Sequence, residues 1–396
     1  MPPNSAARSP ALHRTLSATE ARSTGPPPRL TGLDGLRGIA CLMVFGVHFA
    51  QTAKVQGRWG PFDLAQWFAN GNSGVALFFA LSGFVLSLPF WQATAPGASP
   101  VSLRSYFARR AARILPAYLA CLIGLVVIRS LWRSADDRQE VLLHLLLVFN
   151  FHGPSVFSIN PPFWTLAVEA QFYLLLPVLM AILPRHSPVL SCMALVALSA
   201  AAYAAHFMIN AAAVASAVEG QAPSPALTYS LLAHLPHFLL GMATSRLFVA
   251  RSRSSVPGTA PKPWLSEALL AASLAAILVI LSTPIDALLQ IPFGRYNLPY
   301  LPLLLCAVIA LTPGTALGRQ LLGSAPLRGL GLISYGVYIY HLPIQNFLAR
   351  QMPRISLNPV DHWAVFGAVS LALTLAVALL SYQWLERPIV RALRRT

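Results

Sequence analysis

The chain has 396 residues, of which 56% are hydrophobic and only 10% charged, with a formal net charge of +16. An ordinary soluble domain carries roughly a quarter charged residues, so this composition excludes a mainly water-facing surface and points to lipid as the solvent. The 28 Lys and Arg stand in short clusters between apolar runs and form no single basic face, which argues against nucleic acid as a partner and for orientation signals around membrane segments.

Residues 1–30 are rich in Pro, Ser, Ala and Arg, lack an apolar run, and read as a disordered cytoplasmic extension. No cleavable signal peptide is visible, so the first apolar segment itself directs insertion. A span needs about 20 mainly apolar residues. Ten such runs start near residues 34, 72, 114, 163, 188, 228, 264, 298, 329 and 363. An eleventh, at 141–152, is too short. Counting it as a span would turn most Lys and Arg outward, whereas ten spans leave most of them inside with both termini cytoplasmic. The expected fold class is all-α, a polytopic integral membrane protein of about ten transmembrane helices. Residues 141–152 form a short re-entrant or interfacial segment on the outer side. The membrane domain covers 31–388 and a basic cytoplasmic tail 389–396. Cys41, Cys121, Cys192 and Cys306 lie in apolar runs without CxxC spacing and read as small buried hydrophobes.

Ionisable residues inside these runs carry the functional signal, because an unpaired charge in lipid costs on the order of 3 kcal/mol or more. Thr31-Gly-Leu-Asp34 has a helix-capping pattern, which puts Arg37 in the first turns at the cytoplasmic mouth. His48 follows eleven residues on, on the same helix face and about 16 Å further along the axis. Glu169 comes about 9 Å below the outer end of its span, and His341 about twelve residues into a span running outward. His48, Glu169 and His341 are thus expected in one layer of the outer half, facing one cavity. At the cytoplasmic level Arg110 and Arg113 join Arg37, a rim suited to bidentate phosphate contacts. Such a layout fits a long donor with an anionic nucleotide head inside and its reactive end toward His48. Coenzyme A has that shape, and an imidazole there suits a general base acting on a hydroxyl that arrives from outside.

Leu33-Asp-Gly-Leu-Arg37-Gly-Ile-Ala with His48 resembles the arginine, ten residues, histidine motif of the integral-membrane acyltransferase family 3. Phe78-Phe-Ala-Leu-Ser82-Gly-Phe84 is similar to its SGF element, and Arg110-Ala-Ala-Arg113-Ile-Leu-Pro116 to its RxxR element. Trp164-Thr-Leu-Ala-Val-Glu169-Ala-Gln-Phe172-Tyr173 resembles its WSLxxExxFY element, with Thr165 keeping a hydroxyl where Ser is usual. Ile333-Ser-Tyr335 through His341 and Trp384-Leu-Glu386-Arg387-Pro388 are similar to its C-terminal elements. Taken in this order over residues 33–388, the resemblance implies ten spans in a bacterial plasma (inner) membrane. It implies acyl-CoA, by default acetyl-CoA, as donor substrate, no permanently bound cofactor, and a carbohydrate or small-molecule acceptor. It implies His48 as catalytic base and Arg37, Arg110 and Arg113 as donor-phosphate contacts. Some relatives carry a fused esterase-like domain after the last span; none follows Pro388, so any second step would require a separate partner.

Glu169 is expected to orient a partner or aid proton transfer. Tyr173, one turn later, is within reach of that carboxylate, though packing alone explains a Tyr there. Ser82 lacks a base at fixed spacing and reads as a small residue permitting close helix approach. Ser82, Trp164, Tyr173 and His341 are the weaker cavity candidates. His144, His152, His234 and His237 read as structural or interfacial, and Glu386 as the ion-pair partner of a nearby Arg that latches the last helix. No HExxH or comparable cluster exists, so no metal site is expected. A transporter using the same buried groups as a proton relay is the rival reading.

Overall fold

A computed structural model of the chain describes residues 30–60, 62–216, 224–253, 262–282 and 300–393. The N-terminal extension up to residue 29 and the last three residues of the basic tail lie outside the described residues. Eleven helices of eleven residues or more organise the described residues. They are α1 (Thr31–Ala53), α2 (Ser73–Gln92), α3 (Leu103–Arg129), α4 (Ala135–Leu145), α5 (Trp164–Ile182) and α6 (Pro188–Ser216), then α7 (Leu231–Arg253), α8 (Pro263–Ser282), α9 (Tyr300–Leu311), α10 (Ala325–Gln351) and α11 (Trp363–Ser381). Among the described residues, the extended structure is one two-residue pairing of Arg58–Trp59 with Phe62–Asp63.

Every expected span falls on a helix, but among the described residues eight, not ten, are long and apolar enough to cross a bilayer. Helix α9 is apolar but only 12 residues long, and residues 283–299 before it lie outside the described set. Helix α10 has the length, at 27 residues, but carries Arg328, His341, Gln345 and Arg350. The third helix begins at Leu103, not near 114, because the Ser102 hydroxyl caps it by accepting from the Ser105 amide at 3.3 Å. Arg109, Arg110 and Arg113 therefore ride on helical turns. The 141–152 run divides into the end of α4, an 11-residue helix too short to cross, and a 3-10 turn at Phe149–Phe151.

The bundle is apolar on its outside as well as within. Ile128 is 80% exposed, Ile182 69% and Met208 67%, a perimeter that water would penalise and lipid satisfies. The chain is a multi-pass, all-α membrane protein. Inside, Trp91, Tyr118, Phe163, Phe172 and Phe238 are fully buried. All four cysteines are free, three of them buried and Cys192 partly so.

Two close helix crossings set the register. A Cβ on Gly331 of α10 would overlap the Asp34 carbonyl of α1, so only glycine lets these backbones touch. Further up, Gln345 donates to the Phe45 carbonyl at 3.3 Å, so α1 and α10 run parallel. Helices α1 and α2 run antiparallel, with Gly74 against the Ala40 carbonyl and Gly71 against that of Met43. Continuing this register brings Arg37 opposite residue 77, which leaves α2 to extend about 22 Å beyond that level toward Gln92. Arg37 is therefore an interior residue of the bundle, not one at its mouth. The end at which α1 starts is called the lower end here, and the end reached by Ala53 the upper.

Candidate active site

A cavity of about 70 Å³, partly open, is lined by Arg37, Ser82, Arg113, Glu169, Tyr173 and Tyr335 among others. Helix α1 supplies Arg37, α2 Ser82, α3 Arg113, α5 Glu169 with Tyr173, and α10 Tyr335. The Ser82 hydroxyl donates to Glu169 Oε1 at 2.8 Å, and Tyr173 bonds the same carboxylate from one turn on. Ser82 thus has a base beside it, contrary to expectation. The residue that permits close helix approach is the next one, Gly83, packed on the Phe238 carbonyl of α7.

Charge in this cavity is unbalanced. Among the described residues the ion pairs are Arg37 with Asp34 at 3.5 Å and His144 with Glu140 at 4.0 Å. Arg113 has no carboxylate at that range. Arg110 stands beside the cavity without lining it, and its buried Nε has no partner. Guanidinium groups that outnumber the carboxylates beside them in a low-dielectric interior attract an anion. Among the described residues the expected ion-pair latch at Glu386 is not formed. Glu386 is buried with Oε1 unpartnered, and Arg113 is the charge that acts on it, beyond ion-pair range.

His48 and His341 form a second group, outside that lining. Their ring centroids are 5.2 Å apart. His48 Nδ1 faces Gln51 Oε1 at 3.0 Å, and His341 Nδ1 faces the Tyr338 carbonyl at 2.7 Å and that of Val337 at 3.1 Å. Each Nδ1 faces an oxygen, and the Nδ1–H tautomer that satisfies it leaves Nε2 as a lone pair. His48 is half-buried next to exposed Gln51 at the upper end, whereas His341 is 1% exposed.

The expectation that His48, Glu169 and His341 share one cavity fails at Glu169. Helix α5 does not start at a surface. The chain before it folds inward through short 3-10 turns, burying Phe149, Ser155, Asn160 and Phe163. Asn160 donates to the Ile339 carbonyl at 3.2 Å, and the Thr165 hydroxyl meets that of Tyr338 at 2.9 Å. Helix α5 therefore begins level with Tyr338, and Glu169 lies below it while His341 lies above. Between the two groups stands Tyr338, edge-on to Phe78 with centroids 5.7 Å apart. Its side chain is part of the cavity lining and its carbonyl faces His341 Nδ1.

Trp164 also misses the cavity, packing instead on His234 at 4.9 Å and Tyr229 at 4.8 Å. His144 stacks on Phe149 at 4.0 Å and bonds its own helix, His152 meets the Ser155 hydroxyl at 2.6 Å, and His234 and His237 are buried in α7. Sequence reading gave no site role to Gln51, Tyr335 or Tyr338. Tyr335 and Tyr338 lay inside the matching segment that ends at His341, and Gln51 lay three residues after His48 on one helix face.

The acyltransferase domain family model matches residues 30–381. A Komagataeibacter xylinus chain described as a membrane-bound transacylase is 29% identical over 91% of this chain and 83% of its own. A Bacillus subtilis chain described as a peptidoglycan O-acetyltransferase is 26% identical over 91% of this chain and 55% of its own. The Listeria monocytogenes peptidoglycan O-acetyltransferase is 25% identical over 90% of this chain and 55% of its own. The chain thus spans about half the length of the latter two. No solved structure matches it. With the match covering nearly all of the helical bundle, the chain belongs to the acyltransferase domain family, whose chemistry is the transfer of acyl groups.

Proposed function

We propose that this chain moves an acyl group, acetyl by default, from acyl-CoA at the lower, cytoplasmic end to a hydroxyl of a carbohydrate or small-molecule acceptor entering from the upper end. The supporting observation is His48. It is partly open on the side of Gln51, its Nδ1 is held by that side chain, and its Nε2 is left bare. A base so oriented accepts the acceptor's proton as the oxygen attacks the thioester carbonyl. Arg37 and Arg113, with Arg110 beside them, hold the donor's phosphates in the under-neutralised cavity. Glu169 offsets part of that charge and positions Ser82 and Tyr173, a role for a carboxylate placed below Tyr338. The donor's slender arm displaces the Phe78–Tyr338 contact to bring its thioester to His48. Acetate-bearing surface polysaccharides are the natural products to seek, because two of the relatives are peptidoglycan O-acetyltransferases in name.

The test is thiol release from acetyl-CoA by the purified protein with soluble glycosides as acceptors. Activity in the parent and its loss in His48→Ala support the reading. Equal activity in both removes His48 from the chemistry. Transport of acetyl-CoA or acceptor without thioester cleavage would favour the relay-type transporter.

A further inference from the structure

The base proposed above has an imidazole neighbour in the interior. His341 is 1% exposed, and its Nε2 is buried with no hydrogen-bond partner. A neutral polar atom left bare in a dry interior costs on the order of 1–3 kcal/mol; His144 and His234 also bury such an Nε2, and what sets His341 apart is the ring of His48 with its centroid 5.2 Å away. The His341 Nδ1–H points back along α10 to the carbonyls of Tyr338 and Val337, which leaves only a lone pair at Nε2. His48 presents the same arrangement, with Gln51 in place of the carbonyls.

The side chains around the two rings are Phe45, whose ring lies 6.3 Å from His341, Tyr338 at 6.0 Å, Gln51, and Gln345 one turn along α10. No carboxylate belongs to this group among the described residues. His48 is the ionisable side chain that acts on His341 electrostatically. Serine hydrolases give their histidine a carboxylate to stabilise the imidazolium. Here the corresponding Nδ1 partner is an uncharged amide, so the positive charge formed on His48 is stabilised elsewhere.

We propose that His341 is the second half of a histidine pair that holds the reaction's proton, a positioning and proton-sharing role resting on the acyl-transfer reading. As the acceptor oxygen bonds the acyl carbon, its proton passes to His48 Nε2. The bare Nε2 of His341 shares that proton, either directly as the rings close up or through one bridging water. The carbon–sulfur bond then breaks, and the same proton goes to the departing thiolate, giving CoA thiol and the O-acyl product. Atoms and charge balance without a further reactant. Both rings return to the Nδ1–H form, so the pair is reset for the next donor.

The test uses the full-length protein with acetyl-CoA as donor and methyl β-glucoside as acceptor. His341→Gln keeps a buried acceptor atom but cannot carry a proton. It is expected to lower kcat about tenfold or more while leaving the donor KM unchanged, the pattern of a contact made in the transition state. In His341→Ala, added imidazole is expected to restore kcat in a saturable way. The parent enzyme's kcat in mixed light and heavy water is expected to curve as two protons in motion require, a readout that needs no variant. A kcat for His341→Gln within about twofold of the parent's, a straight single-proton plot, or loss in His341→Ala that imidazole does not relieve would overturn the pair. These failures differ from that of the parent reading, in which the unmutated protein releases no CoA at all.

Discussion

Replacing Arg113 by Gln isolates the cavity's charge. Arg113 lines the cavity, half-buried and without a carboxylate within ion-pair distance among the described residues, while Arg109, four residues before it on the same helix, is exposed. A hydrogen bond from a charged donor is worth about 1.5–3 kcal/mol, which converts to a loss of roughly ten- to 150-fold in donor affinity at about 1.4 kcal/mol per factor of ten. The expected result is a rise of that size in the KM for acetyl-CoA with a smaller change in kcat, because the phosphate contact is alike in ground and transition states. Arg109→Gln should leave KM within about twofold, since an exposed charge is screened. Steady-state thiol release measures both variants in one detergent preparation. Equal KM values for the two, or a kcat effect with KM unchanged for Arg113→Gln, would refute the assignment of Arg113 to the donor's head.

Gly331→Val forces a side chain into the Asp34 carbonyl and should cost about 1–3 kcal/mol or more, read as a lower melting temperature. A variant as stable as the parent would show the crossing to be loose. Thr165→Val removes the hydroxyl that meets Tyr338 at 2.9 Å and should cost about 1 kcal/mol, whereas Thr165→Ser should be near neutral in the same melt. Hydrogen bonds from Ser134 hold the Asp137 carboxyl below the usual range at the start of α4. A lowered carboxylate contributes above its unfolded pKa and ceases to as pH falls through the folded value. Protection factors of the amides over 135–145, taken against the intrinsic exchange rate at each pH, should therefore fall on acidification, and Asp137→Asn should remove that dependence. Single cysteines at Ser99 and Ser356, both exposed and at opposite ends of the bundle, should label from the cytoplasmic and outer sides respectively; the reverse would invert the orientation.

Span positions were legible because lipid demands long apolar runs, and α1, α2, α5, α6 and α11 begin where those runs do. Depth was not legible, because it depends on how helices slide past one another. Arg37 reads as an entrance residue from its place in α1, yet glycines at 71 and 74 set α1 high against α2 and carry it inside. Glu169 reads as an outer-half residue only while its helix is assumed to start at a surface. The inward fold of 149–163, built from 3-10 turns and buried polar bonds, leaves no hydropathy signal. The His48–His341 approach was anticipated as a shared layer, and the parallel course of α1 and α10 brings it about. Their tautomers required knowing which oxygen each Nδ1 meets, and that is a property of rotamers.

The edge-on contact of Tyr338 with Phe78 bears on the energetics of the whole cell. A passage wide enough for a thioester arm, if open from end to end, would also conduct protons and small ions. Each elementary charge crossing a membrane held at 100 mV dissipates about 2.3 kcal/mol. On the route proposed for the donor's arm, two aromatic rings set at 82° between the cationic cavity and the histidine pair stand where an insulating seal is needed. A slender arm filling the gap it opens would then let acyl groups cross while the transmembrane gradient is kept.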